Sequence, residues 1–303
     1  MKVLITGGTG LIGSALIPHL VDTYQVTVTS RNPQRAIARL GNKVHVVRSL
    51  DEINDLSEFY AVINLQGEGI ADKRWSSRQK LRLEQSRWNV TRQLTERMQA
   101  ASQPPQVFIS GSAIGFYGPQ GNTPVTEATT VNADDFAHHL CAEWERLALA
   151  ADSPKTRVCV IRTGVVLAPE GGALKKMLPP YLLGLGGPLG SGKQGFSWVH
   201  LDDMVGIILF LLQQQDARGI YNATAPNPVP QAEFSRKLAR VLRKSHFMRV
   251  PAWALKLMLG EMSEMLLTGQ LVLPERLQQA GYEFHYSDVE AALRNCLLPP
   301  SST

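Results

Sequence analysis

Short, continuously apolar runs alternate with amphipathic stretches through the first half of the chain. Val3-Leu4-Ile5, Val26-Thr27-Val28-Thr29, Val44-His45-Val46-Val47, Ala61-Val62-Ile63-Asn64-Leu65, Val107-Phe108-Ile109-Ser110 and Arg157-Val158-Cys159-Val160-Ile161 each have the length and β-branched content of a strand. Between the first two, Leu11 to Leu20 predicts a helix with Leu11, Ile12, Leu16 and Leu20 on its inner side. A long polar helix is expected from about Ser77 to Ala101, closed by Pro104-Pro105. Strands separated by helices imply βαβ units with right-handed crossovers, and so an α/β fold on a parallel sheet. The strands are apolar throughout rather than alternating, which fits a sheet covered on both faces.

After about residue 165 the texture changes. Leu182 to Gly195 is rich in glycine around Pro188, and reads as a mobile lid or an irregular linker. Asp202-Asp203 stand where a helix over Met204 to Leu212 would begin, with acids at its positive end. Gly219-Ile220-Tyr221-Asn222 has the look of one more strand. Gln231–Arg243, Pro251–Leu259 and Pro274–Ala280 read as short helices, and Leu298 to Thr303 as a frayed end. The expected division is 1–165 for a nucleotide-binding domain, its sheet completed by a strand near 219–223, and 166–303 mostly for a smaller substrate lobe.

Composition changes this picture little. The 303 residues are 44% hydrophobic and 19% charged, a globular balance with room for one large domain or two lobes. No run approaches the ~18 apolar residues of a transmembrane span. Met1 leads directly into Lys2-Val3-Leu4-Ile5 without the pattern of a cleavable leader, so a cytoplasmic protein with no membrane partner is expected. Cys141, Cys159 and Cys296 are too far apart for a disulfide scaffold or a zinc site, and no metal is expected. The net charge of +5 is carried by scattered Lys and Arg, which suits an anionic cofactor and is too diffuse for nucleic acid.

The strongest chemical signal is Thr6-Gly7-Gly8-Thr9-Gly10-Leu11-Ile12-Gly13, directly after the first strand. Gly7 permits a sharp turn, Gly10 lets backbone approach a pyrophosphate, and Gly13 lets the helix pack closely on the sheet. The amides of Leu11 and Ile12 then stand at a positive helix end. This context predicts a Rossmann-type, doubly wound dinucleotide site, because the motif sits between a strand and an amphipathic helix. A carboxylate after the second strand would favour NAD, whereas Thr29-Ser30-Arg31 offers none. Arg31 can pair with a ribose 2′-phosphate and Ser30 can donate to it, so NADP(H) is the expected cofactor.

These segments resemble the extended short-chain dehydrogenase/reductase superfamily, the NAD-dependent epimerase/dehydratase family. Phe108-Ile109-Ser110-Gly111-Ser112-Ala113 with Phe116-Tyr117-Gly118 is similar to its active-serine strand and following turn. Phe196 to Asp203 is similar to its late VHxDD segment and Gly219 to Asn222 to its GxYN strand. Gly67 to Trp75, Arg162 to Leu167 and Leu183 to Pro188 resemble more closely the YfcH-type epimerase-family proteins. The resemblance implies Leu65, Gln66 and Gly67 beside the adenosine ribose, Arg87 as a contact to the cofactor phosphates and Val166 beside the nicotinamide. Ser110 joins the cofactor set, and Ser112 and Tyr117 are the catalytic candidates.

That family carries a Tyr and, four residues on, a Lys that relay a proton. Here the helix Asp134 to Glu145 offers Phe136 and Leu140 in one alignment or Ala137 and Cys141 in another, neither with a phenol or an amine. His138 and His139 read as a surface pair, Glu143 and Glu145 with Arg146 as solvated helix charges or an ion pair, and Cys141 as a small buried residue. Trp75 has two readings, stacking on substrate or packing on the long helix, while Lys73 suits an acidic group. The expectation is an atypical NADP(H)-binding oxidoreductase or nucleotide-sugar-epimerase-like protein acting on a small molecule, as a monomer or homodimer. The alternative is a non-catalytic NADP(H)-binding regulator, a reading the resemblance links to cell division.

Overall fold

The computed structural model describes residues 1–169 and 171–298. Its central sheet uses β1 (Lys2–Thr6), β2 (Gln25–Thr29), β3 (Val44–Val47), β4 (Ala61–Asn64), β5 (Val107–Ala113), β7 (Arg157–Thr163) and β11 (Gly219–Ala223), in the spatial order β11-β7-β5-β4-β1-β2-β3. Every neighbouring pair is parallel. The order reverses between β1 and β4, the switch point where open α/β sheets place their ligands. The expected strands are all present, and the one near 219–223 forms the far edge against β7.

Successive strand residues alternate between two apolar layers. Val3 and Ile5 face one layer with α1 (Leu11–Leu16) and α6 (Leu201–Gln213), while Leu4, Val62 and Phe108 face the other with α3 (Ser77–Ala100) and α4 (Phe136–Leu149). α2 (Pro33–Leu40) links β2 to β3. The helix expected from Leu11 to Leu20 is α-helical only to Leu16 and continues as a 3-10 turn over Ile17–His19. Pro18 has no N–H to donate to the preceding turn, which accounts for the tightening. Leu16 and Leu20 are nonetheless fully buried.

The lobe has its own core, with Trp198, Phe234, Leu238 and Leu293 inside. It comprises β8 (Val165–Leu167), α5 (Gly172–Leu182), β9 (Gly195–Phe196), β10 (Trp198–His200), β12 (Val229–Pro230), α7 (Gln231–Val241), α8 (Ala252–Leu259), α9 (Glu264–Leu267), β13 (Leu271–Val272), α10 (Glu275–Gln279) and α11 (Val289–Leu297). β6 (Pro124–Val125) pairs with β13 and joins the lobe to the sheet domain. The glycine-rich run after Leu182 is stitched down by bridges from Gly186 to His246 and Leu189 to Val250. The Gln194 amide also donates to the carbonyls of Leu189 and Leu266. α6 lies on the central sheet, so that domain draws on residues 201–223 as well. Of the expected frayed end, only Leu298 is among the described residues.

Candidate active site

The glycine loop follows β1 at the switch point. Gly7 has φ +72°, and a Cβ there would lie 2.6 Å from the backbone of Leu65, so both conformation and space demand glycine. A Cβ on Gly13 would meet Gly7 O at 2.5 Å and Gly8 Cα at 2.7 Å, because the helix is pressed onto its own loop. Gly10 differs. A Cβ there would have one neighbour within 4 Å, Gly7 O at 3.1 Å, and would otherwise point into open space. Gly10 is also the N-cap of α1, no side chain caps this end, and the amides after it are left for a ligand. Buried Thr29 Oγ1, at the end of β2, likewise has no partner. A cradle open only at Gly10 fits the diphosphate of a dinucleotide.

Beneath the loop lies a buried polar net. Thr6 Oγ1 donates to Asn64 Oδ1 at 2.6 Å, and Asn64 Nδ2 donates to Thr91 Oγ1 at 2.8 Å and Ser110 Oγ at 3.5 Å. The side chains of Thr6 and Ser110, both expected in the cofactor site, therefore turn inward rather than toward the loop's open side. They fix the strand ends instead, together with Asn64, to which the sequence reading gave no role.

Ser30 donates to the Asn32 carbonyl, and its amide bonds Val47 O, which fixes the turn after β2. Arg31 is exposed at that turn. Leu65, Gln66 and Gly67 continue β4 along the loop's other side, and a Cβ on Gly67 would touch the Arg87 guanidinium at 3.0 Å. Arg87 is buried. It donates to Leu83 O, Ser86 Oγ and Glu68 O and lies 5.4 Å from the Trp144 ring centre, so its visible work is to hold the Gly67–Glu68 turn. Val166 lies on β8, whose continuation through Gly171 and Gly172 packs on Leu11 at the mouth of the loop.

The structure separates the two alignments of α4. Ala137 and Cys141 face Gly115 and the Ser112 strand end, with Cys141 Sγ 3.7 Å from a Gly115 Cβ. Phe136 instead meets Trp75 edge-on at 4.9 Å, and Leu140 gives its carbonyl to Trp88. The positions facing the serine thus carry a methyl and a thiol. Burial pushes the Cys141 thiol up to about 12, with the Glu145 charge adding to the effect, so it stays protonated at neutral pH.

The same helix face continues to Glu145, and here the expectation of a solvated charge is overturned. Glu145 is 3% exposed. Its carboxylate accepts from Ser112 Oγ at 2.6 Å and pairs bidentately with Arg162 at 2.9 and 2.8 Å. The Arg162 guanidinium lies 3.4 Å from the Phe116 ring centre and 4.8 Å from that of Tyr117. Burial works against its charge, but the Glu145 carboxylate outweighs this and its pKa ends above the ordinary value. Glu143 does form the expected exposed pair with Arg146. The i, i+4, i+8 series Ala137, Cys141, Glu145 was the available signal that Glu145 points inward.

Tyr117 is completely buried, and its hydroxyl bonds Asn222 Oδ1 at 2.8 Å and Thr126 O at 3.1 Å. Its hydroxyl, expected as a catalytic candidate, here ties the serine strand to β11. His138 donates its Nδ1 proton to Phe116 O, and His139 pairs with exposed Asp134. Trp75 packs on Phe136 and donates to Ile70 O, closing its own loop. No group of three His, Cys, Asp or Glu suited to a metal occurs among the described residues.

Residues 3–224 match the model of the NAD dependent epimerase/dehydratase family, and residues 250–296 match a domain of unknown function, DUF1731. An epimerase family protein of Staphylococcus aureus (strain MRSA252) is 37% identical over 297 residues, covering 98% of this chain and 99% of the relative. The chloroplastic epimerase family protein SDR39U1 homolog of Arabidopsis thaliana is 38% identical, covering 97% of this chain and 86% of the relative. The crystal structure of human epimerase family protein SDR39U1 with NADPH superposes with a TM-score of 0.89 at 33% identity, covering 98% of this chain and 99% of that one. With its glycine cradle at the switch point of a seven-stranded parallel sheet, the chain belongs to the NAD-dependent epimerase/dehydratase family of Rossmann-type, short-chain-dehydrogenase-like proteins.

Proposed function

We propose that this protein binds NADP(H) in preference to NAD(H) and acts as an atypical oxidoreductase or epimerase-like enzyme on a small molecule. The observation that carries the cofactor reading is the turn after β2, where exposed Arg31 stands in place of a ribose-binding acid. The NADPH held by the human relative supports it. A bound nicotinamide supplies hydride exchange, and this chain's residues supply position and charge. Ser112 is the side chain at the serine strand that can meet a substrate oxygen. Its proton is directed at Glu145, so toward a substrate it presents lone pairs. It therefore suits the hydroxyl form of a substrate, whose proton it can accept in a hydrogen bond, better than a carbonyl it would have to polarise. General acid–base help is worth about 10²–10⁴-fold, and without the Tyr/Lys pair turnover on generic carbonyl compounds is expected to be slow.

A second reading rests on one observation: the α4 positions beside Gly115 carry Ala137 and Cys141 in place of a Tyr and a Lys, and neither relays a proton at neutral pH. On this reading the protein is a non-catalytic NADP(H)-binding regulator. One experiment addresses both. Fluorescence titration should give tighter NADPH than NADH binding, and Arg31→Ala should remove roughly 1.5–3 kcal/mol of that preference. Equal affinities in the parent protein would overturn the cofactor assignment. If bound NADPH is never oxidised across a panel of aldehydes, ketones and keto-sugars, nor NADP⁺ reduced by the corresponding alcohols, the regulator reading prevails.

A further inference from the structure

On the lobe, four large apolar side chains stand 70–75% exposed: Leu183 just beyond α5, Phe247 ahead of α8, and Trp253 and Leu257 one turn apart on α8. Backbone contacts bring these segments together. Gly186 bridges His246, Leu189 bridges Val250, and a Cβ on Gly190 would lie 3.9 Å from the Ala252 methyl at the start of α8. α8 buries only Leu255, and its Trp253, Leu257 and Met258 stay exposed. Soluble monomers seldom carry such a patch without a use for it.

The same segments are cationic and free of acids. No Asp or Glu occurs from Val241 to Gly260 or from Gly171 to Pro188. Arg243, Lys244, Arg249 and Lys256 are exposed and form no ion pair among the described residues. The cations just before them are compensated: Lys237 pairs with Glu233 and Asp288, and Arg240 with Glu290.

We propose that this face docks the protein on the surface of an anionic lipid bilayer. Trp253, Leu257, Phe247 and Leu183 would enter the boundary between headgroups and acyl chains, and the four cations would meet lipid phosphates. The sign of the charge selects an anionic surface. It also argues against a second copy, because a two-fold contact would set this cationic face against itself. The side chains are largely exposed, which suits a fluid phase that moulds around them better than a preshaped peptide partner. Tryptophan is at home at that interface. The expectation of no membrane partner rested on the lack of a spanning run and a leader, neither of which bears on a peripheral contact made by exposed apolar and cationic side chains. No helix of the described residues is long and apolar enough to cross a membrane, so the contact is peripheral.

Sedimentation of the whole protein with vesicles tests this. It should bind phosphatidylcholine vesicles containing phosphatidylglycerol, release with added salt, and ignore phosphatidylcholine alone. Arg249→Gln and Lys256→Gln should each weaken binding about fivefold. Trp253→Ser should weaken it as well, and Leu183→Ser on a different element gives an independent check. All four positions are exposed, so NADPH affinity and circular dichroism should be unchanged. Absence of vesicle binding, equal binding to neutral vesicles, or indifference to these substitutions would overturn the proposal. So would a dimer in analytical ultracentrifugation that Trp253→Ser dissociates.

Discussion

Arg162 holds its guanidinium between a carboxylate and two aromatic rings, with 2% of its surface exposed. Nη1 has no hydrogen-bond partner, and the Phe116 face at 3.4 Å compensates part of that deficit by attraction to the cation. A buried pair of this kind adds little over well-packed apolar side chains, yet breaking it strands a charge. Arg162→Met should therefore cost about 3–5 kcal/mol in urea unfolding, because Glu145 is left without its counter-ion. Glu145→Leu combined with Arg162→Met should recover much of that loss. A single substitution costing under about 1 kcal/mol would show that the pair is not held as described.

At the scale of elements, the β1 turn and α1 divide their glycines by task. Gly7 and Gly13 serve packing, so Gly13→Ala should destabilise the fold, its methyl falling 2.5 Å from Gly7 O. Gly10 serves the ligand. Gly10→Val should leave the melting temperature near that of the parent while NADPH binding is lost in the same fluorescence titration; retained affinity in a folded variant would take the loop out of the site. The loop was legible in the sequence because strand, turn and helix are contiguous, so local spacing carried the whole argument. The Ser112–Glu145–Arg162 cluster was not, because it joins a strand, a helix and another strand across 33 and 17 residues. No local window contains it, and only the helical period of α4 hinted at it. Tyr117 is the opposite case. Its motif was visible, but the partner that buries its hydroxyl, Asn222, lies 105 residues away.

Across the whole molecule, α6 belongs to the sheet domain and its first turn holds the lobe. Fully buried Asp203 accepts from the amides of His285 and Tyr286 at 2.8 and 2.9 Å and from the Tyr282 hydroxyl at 3.2 Å, tying the segment before α11 to the helix. His200 caps α6 by accepting the Asp202 amide at Nδ1, which leaves the proton on Nε2, a buried atom without a partner. Its ring lies 3.9 Å from that of Tyr286, in the tethered segment. Burial holds its pKa below the ordinary 6.5, although Asp202 and Asp203 pull the other way. An unfolded chain therefore binds a proton near pH 6.5 that the folded one refuses. Stability from this residue is complete above that value and is lost as pH falls below it, toward the native pKa. His246, also held below 6.5 by burial, adds a loss of the same sign. His200→Asn keeps a side-chain acceptor for the cap and removes the titration. Urea unfolding on either side of pH 6.5 should show a steeper acid loss in the parent than in His200→Asn, whereas equal losses would mean that His200 does not couple protonation to the lobe's attachment.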